Sequence, residues 1–176
     1  MSFEITIDDS EVKAALTALA ARIDNMQPVL QELGEDIMER TKRRFGTSTG
    51  PDGQRWQPNA ASTVLAAIAR MGSKARLKNG NLSKKAQKTL AGKKVLVDTG
   101  DLAREFEVKS TSRSVTVSNG MDYSAIHQFG GQAGKGKKIT IPARPFLPVT
   151  SSGEMYPDDQ RHILQQIKDY LSDSIP

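Results

Sequence analysis

The chain has 176 residues, 37% of them hydrophobic and only 5% aromatic, with a formal net charge of +5 and no cysteine. That length buries a core without staples, and the lack of cysteine excludes disulfides, thiolate metal sites and a Cys nucleophile. Residues 1–8 lack the basic start and apolar run of a signal peptide, and no apolar stretch approaches the roughly 20 residues of a membrane span. The expectation is one domain over residues 1–176, made in a reducing cytoplasm and without membrane contact.

The charge is unevenly spread. Residues 53–97 carry ten Lys and Arg and no acid, while the remaining residues carry 15 basic and 20 acidic groups, a net of −5. The basic character is therefore local.

In chain order, Phe3, Ile5 and Ile7 alternate with polar residues, the period of a half-buried strand. Asp9 or Ser10 can cap a helix whose apolar positions Val12, Leu16, Leu19 and Ile23 share one face. Pro28 suits the first turn of a second helix, striped by Leu30, Leu33, Ile37 and Met38 and ending near Phe45. The two predict an αα-hairpin. Residues 46–53 form a loop with the turn sequence Pro51-Asp52-Gly53.

Residues 61–71 are helical in pattern. Residues 72–94 are rich in Lys, Asn, Gly and Ser, which predicts a basic, mobile insertion holding a short helix over residues 83–90. Residues 95–97 are a short apolar run. Phe106 and Val108, then Val115 and Val117, alternate across a polar link and predict a hairpin. Residues 123–129 read as a short helix closed by Gly130-Gly131, residues 131–138 as a flexible basic loop, and Ile139-Thr140-Ile141 as a strand. Pro157, Asp158 and Asp159 open a last helix, with Ile163, Leu164, Ile167, Tyr170 and Leu171 on its inner face. The predicted class is α+β: an antiparallel sheet of about four strands, with the N-terminal helical pair and the C-terminal helix packed on it, plus mobile loops.

Few patterns point to chemistry. Asp98-Thr99-Gly100 after Val95-Leu96-Val97 has the form of an aspartic protease site, where two carboxylates share a proton. Asp101 adds a further charge beside it, and the second apolar-Gly-Arg element is missing. The competing reading is a strand end whose Asp98 or Asp101 caps the next helix. Gly131 and Gly136-Lys137 have phosphate-loop spacing, but Lys138 stands where Ser or Thr should hold Mg²⁺. His127 and His162 are the only histidines, which is too few for a metal cluster. His127 is expected to pack beside Tyr123. No cofactor is expected.

The lysines of the basic stretch, Lys84, Lys85 and Lys88 among them, suit a solvated loop, an acidic protein face or, without sequence preference, DNA phosphates. That stretch holds no aromatic residue for base stacking. Residues 141–148 contain three prolines, which cannot donate to a ladder. Arg144 is expected to stand out stiffly between them, while Phe146 and Leu147 anchor the segment. It is either a rigid arm at a subunit contact or a fixed connection into the last helix.

Four motifs in this order resemble the phage virion morphogenesis family, the tail completion proteins of Mu-like and related long-tailed phages. They are Phe45 followed by Pro51-Asp52-Gly53-Gln54-Arg55-Trp56, then Val95-Leu96-Val97-Asp98-Thr99-Gly100-Asp101-Leu102, then Tyr123-Ser124-Ala125-Ile126-His127-Gln128-Phe129-Gly130, and Ile141-Pro142-Ala143-Arg144-Pro145-Phe146-Leu147. The resemblance covers nearly the whole chain. It implies a structural virion protein, not an enzyme, assembled in the bacterial host cytoplasm, that completes the tail or joins it to the DNA-filled head. It also implies a ring-like homo-oligomer and partners among the tail tube, tail terminator and head-neck proteins. The residues expected at partner contacts are Trp56, Lys84, Lys85, Lys88, Tyr123, His127, Gln128, Phe129, Arg144 and Phe146. The alternatives are a non-specific DNA-binding module at the head–tail junction and a protease using Asp98.

Overall fold

The computed structural model describes residues 9–173. The expected strand around Phe3, Ile5 and Ile7 lies outside them. Two long helices come first, α1 (Ser10–Asp24) and α2 (Gln27–Thr47), the latter with Pro28 in its first turn as expected. Then follow α3 (Ala61–Arg70), α4 (Lys84–Ala91) and the one-turn α5 (Asp101–Arg104). The hairpin strands β1 (Phe106–Ser110) and β2 (Val115–Asn119) are antiparallel, with Val108 opposite Val117. The chain continues through α6 (Ser124–Phe129), β3 (Gly131–Ala133), β4 (Ile139–Ile141) and α7 (Pro157–Ser172).

The α+β class stands, but among the described residues the expected sheet of about four strands does not form. Instead there are two separate two-stranded antiparallel sheets, β1-β2 and β3-β4. Two physical reasons are visible. The apolar run at residues 95–97 is not a strand: Leu96 sits at φ 60° in a turn, and all three residues lean on an aromatic cluster. Beyond β4, Pro142 and Pro145 lack the N–H groups that would extend a ladder. The loop expected at residues 131–138 holds a strand of its own, since Gly131, Gln132 and Ala133 pair with Ile141, Thr140 and Ile139.

The helix α2 organises the molecule. Val29 and Leu33 are buried beneath the β1-β2 hairpin. Gly34 meets the hairpin so closely that a Cβ there would lie 2.4 Å from Val108 Cγ1 and 2.6 Å from Val115 Cγ2. At the far end of α2, Phe45 joins Trp56, Leu102 and Phe146 in the core cluster, with Phe106 packed against it. The ring centroids of Phe45 lie 5.4 Å from Trp56 and 5.2 Å from Phe146, at the separations aromatic pairs favour. The sequence places these aromatics 11 to 101 positions apart, and the fold brings them into one nucleus.

The expected αα-hairpin also needs correction. The main contact of α1 is with α7 rather than α2, through Arg22, which donates to the Tyr170 carbonyl and lies 5.0 Å over the Tyr170 ring. The predicted inner face of α1 is therefore largely bare: Val12 is 61% exposed, Leu16 60% and Ile23 52%. On α7, Leu164 is likewise exposed, and its deepest residue is Asp159. The basic insertion is built as a small lobe. A 3₁₀ turn over Gly72–Ala75 packs on α4, and Ala75 and Ala86 are fully buried between them. The predicted short helix is present, capped by the Ser83 side chain accepting from the Ala86 N–H.

Candidate functional site

The proline segment leaves β4 with few means of satisfying its own backbone, and buried N–H and C=O groups need partners. Side chains from three distant elements provide them. Gln128 of α6 accepts from the N–H groups of Phe146 and Leu147, both at 2.9 Å, and donates to the carbonyls of Leu147 and Val149 at 3.2 and 2.8 Å. Trp56 Nε1 donates to Pro145 O at 2.9 Å. Arg44 Nη1 donates to Phe146 O at 2.7 Å. The Arg144 N–H reaches His127 O at 2.8 Å. Gly130 is required where α6 ends against the segment: its φ is 74°, and a Cβ would lie 2.8 Å from Ala143 N.

The Arg144 side chain does not stand outward. It is 7% exposed and turns in, donating from Nε to Gln57 O and from Nη2 to Pro58 O, both at 2.9 Å. Those carbonyls lie in a loop whose Pro58 has no N–H to offer, so a long donor from elsewhere is the available partner. Burial lowers the pKa of Arg144.

Behind the segment lies an ion cluster. Asp159 accepts from Arg44 Nη2 at 2.8 and 2.6 Å and from Arg40 Nε and Nη2 at 3.1 and 2.9 Å. Asp159 is 3% exposed and Arg44 8%. One carboxylate thus locks α7 to α2 while Arg44 holds the proline segment. Nothing local in the sequence signals this cluster, whose arginines stand 115 to 119 positions from Asp159.

In front lies a cleft of about 600 Å³ between α3, the loop at residues 96–101 and β4. Tyr123 and His127 stand in its wall, their rings 5.9 Å apart and edge-on, as expected of this pair. His127 Nδ1 is buried without a partner, and burial, then the Arg144 charge, lower the pKa of the ring. Asp98 at the rim is bound by Lys93 at 2.8 Å and Arg70 at 2.6 Å. Hydrogen bonds from these two cations hold its carboxyl at about 2. In a dyad that shares a proton, one carboxyl is raised by an acidic neighbour, whereas the groups bound to Asp98 here are both cations. Asp101 hydrogen-bonds to Thr99 and Arg104, which also lower its pKa. The cap before α5 is Gly100, so neither aspartate has the N-cap role expected of it.

The ten residues expected at partner contacts therefore separate. Trp56, Gln128, Arg144 and Phe146 are interior, at 6, 3, 7 and 0% exposure, because the proline segment needs their donors, acceptors and volume. Any effect they have on a contact is through the loops they brace. Tyr123 and Phe129 are exposed and His127 is half-buried, all close to the braced segment. Lys84, Lys85 and Lys88 are exposed on α4, in a lobe that contacts α3 rather than the clasp, the proline segment with the side chains that brace it. Among the described residues they have no acidic partner, and no group of His, Asp and Glu is placed to hold a metal. No described helix is long and apolar enough to cross a membrane.

The profile of the phage virion morphogenesis family matches residues 7–172. A stretch of 76 residues is 44% identical to Mu-like prophage FluMu G protein 2 of Haemophilus influenzae, covering 43% of this chain. The match spans about half of that relative, 51% of its length. No solved structure matches.

Proposed function

The chain belongs to the phage virion morphogenesis family, and from that premise we propose that it completes the phage tail or joins tail to head by binding other virion proteins, without catalysis. The observation that carries this reading is the clasp. Interior side chains stiffen a segment that would otherwise have unsatisfied backbone, and beside it Tyr123, Phe129 and Ile139 stand 45, 46 and 57% exposed. Rigid support beneath exposed aromatic and aliphatic groups is the arrangement of an interface hot spot. The partners are tail and neck components and other copies of the chain, and the protein acts in the virion.

Electron microscopy of particles made without the chain tests this. Unjoined heads and unfinished tails are expected, with rescue by the unaltered chain and not by the Tyr123→Ala, Phe129→Ala double variant. Intact infectious particles would overturn it.

The lobe at α4 favours a second reading, non-specific contact with DNA, because its lysines are exposed and unpaired among the described residues. Phosphate contact predicts affinity that falls steeply with salt and is lost on replacing Lys84, Lys85 and Lys88 by alanine. Salt-independent retention on DNA, or none, removes this reading.

A further inference from the structure

The face of α1 is the surface that the clasp and the cleft leave unexplained. The helix has no buried residue. It rests on α7 through Arg22, and Ala15, Leu19 and Arg22 are its half-buried residues. Beside them run Val12, Leu16 and Ile23, more than half exposed, with Leu19 at the seam. A run of large aliphatics open to water on one helix face marks an interaction site.

The spacing of the stripe says what fits it. Val12 to Leu16 is four positions, Leu16 to Leu19 three, and Leu19 to Ile23 four. The order 4-3-4 reads the same in both directions, and these are the core positions of a coiled-coil seam. Two antiparallel copies would set Val12 against Ile23 and Leu16 against Leu19, each pair occurring twice. The flanking positions agree: Lys13 would face Ala20 and Arg22 would face Ala15, so no like charges meet across the seam. The helix dipoles are opposed in this arrangement and aligned in a parallel one.

We propose that α1 pairs two copies of this chain, antiparallel, about a twofold axis at the level of Thr17 and Ala18. The pairing deepens the assembly reading by naming the occupant of one surface. Such a contact is isologous and closes on itself. A ring would need a second, different face, and the cleft side with Tyr123 and Ile139 is free for that. One helix pair falls short of the roughly 1,200 Å² typical of stable interfaces, so the dimer is reversible.

Sedimentation of the purified chain over a concentration series tests it. The mass is expected to rise from one chain to two, and Leu16→Glu to stay at one chain with an unchanged circular dichroism spectrum and melting curve. The chain has no cysteine, so orientation can be read by cross-linking. Val12→Cys and Ile23→Cys proteins should form disulfide dimers when mixed and not when oxidised separately. A wild-type chain of single mass at every concentration would overturn the pairing. So would a larger oligomer indifferent to Leu16→Glu, or Val12→Cys cross-linking to itself as well as in the mixture. Association of α1 with another virion protein while the chain alone stays single also defeats it. Any of these results leaves the assembly reading intact, because that reading fails only if particles form normally without the chain.

Discussion

Gln128 shows how much one side chain can carry. Its four hydrogen bonds replace the ladder that the prolines forbid. Gln128→Leu keeps the volume but strands two donors and two acceptors, each costing about 1–3 kcal/mol if left unmet. We expect the loss to exceed about 3 kcal/mol in urea unfolding, with amide exchange rising first around residues 143–149. Asp159→Asn removes the charge that neutralises buried Arg44 and leaves an uncompensated cation, a change that costs about 3–5 kcal/mol. Thermal unfolding would show it, and Asp159→Glu should recover part of the loss. His127 titrates in an informative direction. Burial and Arg144 lower its folded-state pKa, so as pH falls the unfolded chain takes up this proton first, near its ordinary value of about 6.5. Stability through this group is therefore full above that pH and declines as pH falls towards the folded-state value. Urea midpoints measured against pH should flatten in that window for His127→Phe.

At the scale of elements, Gly34 decides how α2 meets the β1-β2 hairpin. Gly34→Ala adds about 0.5–1 kcal/mol of helix preference. It also drives a methyl to 2.4 Å from Val108 Cγ1, and overpacking costs about 1–3 kcal/mol. A net loss in melting temperature is expected, partly recovered by Val108→Ala, which removes the nearer methyl. On α4, two lysines occupy the first turn, Lys84 and Lys85, against the helix dipole. Ser83 offsets this as cap, so Ser83→Ala should cost about 1 kcal/mol locally, seen as faster amide exchange over residues 84–91 with the core unchanged. The sequence showed α4 and the β1-β2 hairpin, since propensity and period-2 alternation are local. It hid β3, because Gly131, Gln132 and Ala133 have no strand signal and pair only because β4 lies beside them.

Across the whole molecule, two layers of contacts divide the labour. The aromatic cluster and the Arg44–Asp159 pair join α2, α7 and the proline segment into one body. Phe146, at 0% exposure, is the centre of that cluster, and Phe146→Ala should cost about 3–5 kcal/mol in global unfolding. Around that body, the outer face of α1, the aromatics near the cleft and the lysines of α4 contribute little to the fold, so substitutions there should leave unfolding unchanged while altering association.

The sequence by itself determined the helices, the turns, the α+β class and the four motifs that lead to the family, because periodicity and glycine-proline chemistry act over a few residues. Only the tertiary structure decided which apolar stripe is covered and which motif residues face inward. Val12 and Leu33 stand in equally amphipathic helices, yet one is open and the other buried. Arg144 and Lys84 are both cations, yet among the described residues one is used within the chain and the other is not. Those outcomes depend on partners far along the chain, 86 and 87 positions off for Arg144, and no local pattern encodes which of two suitable surfaces a distant segment will meet.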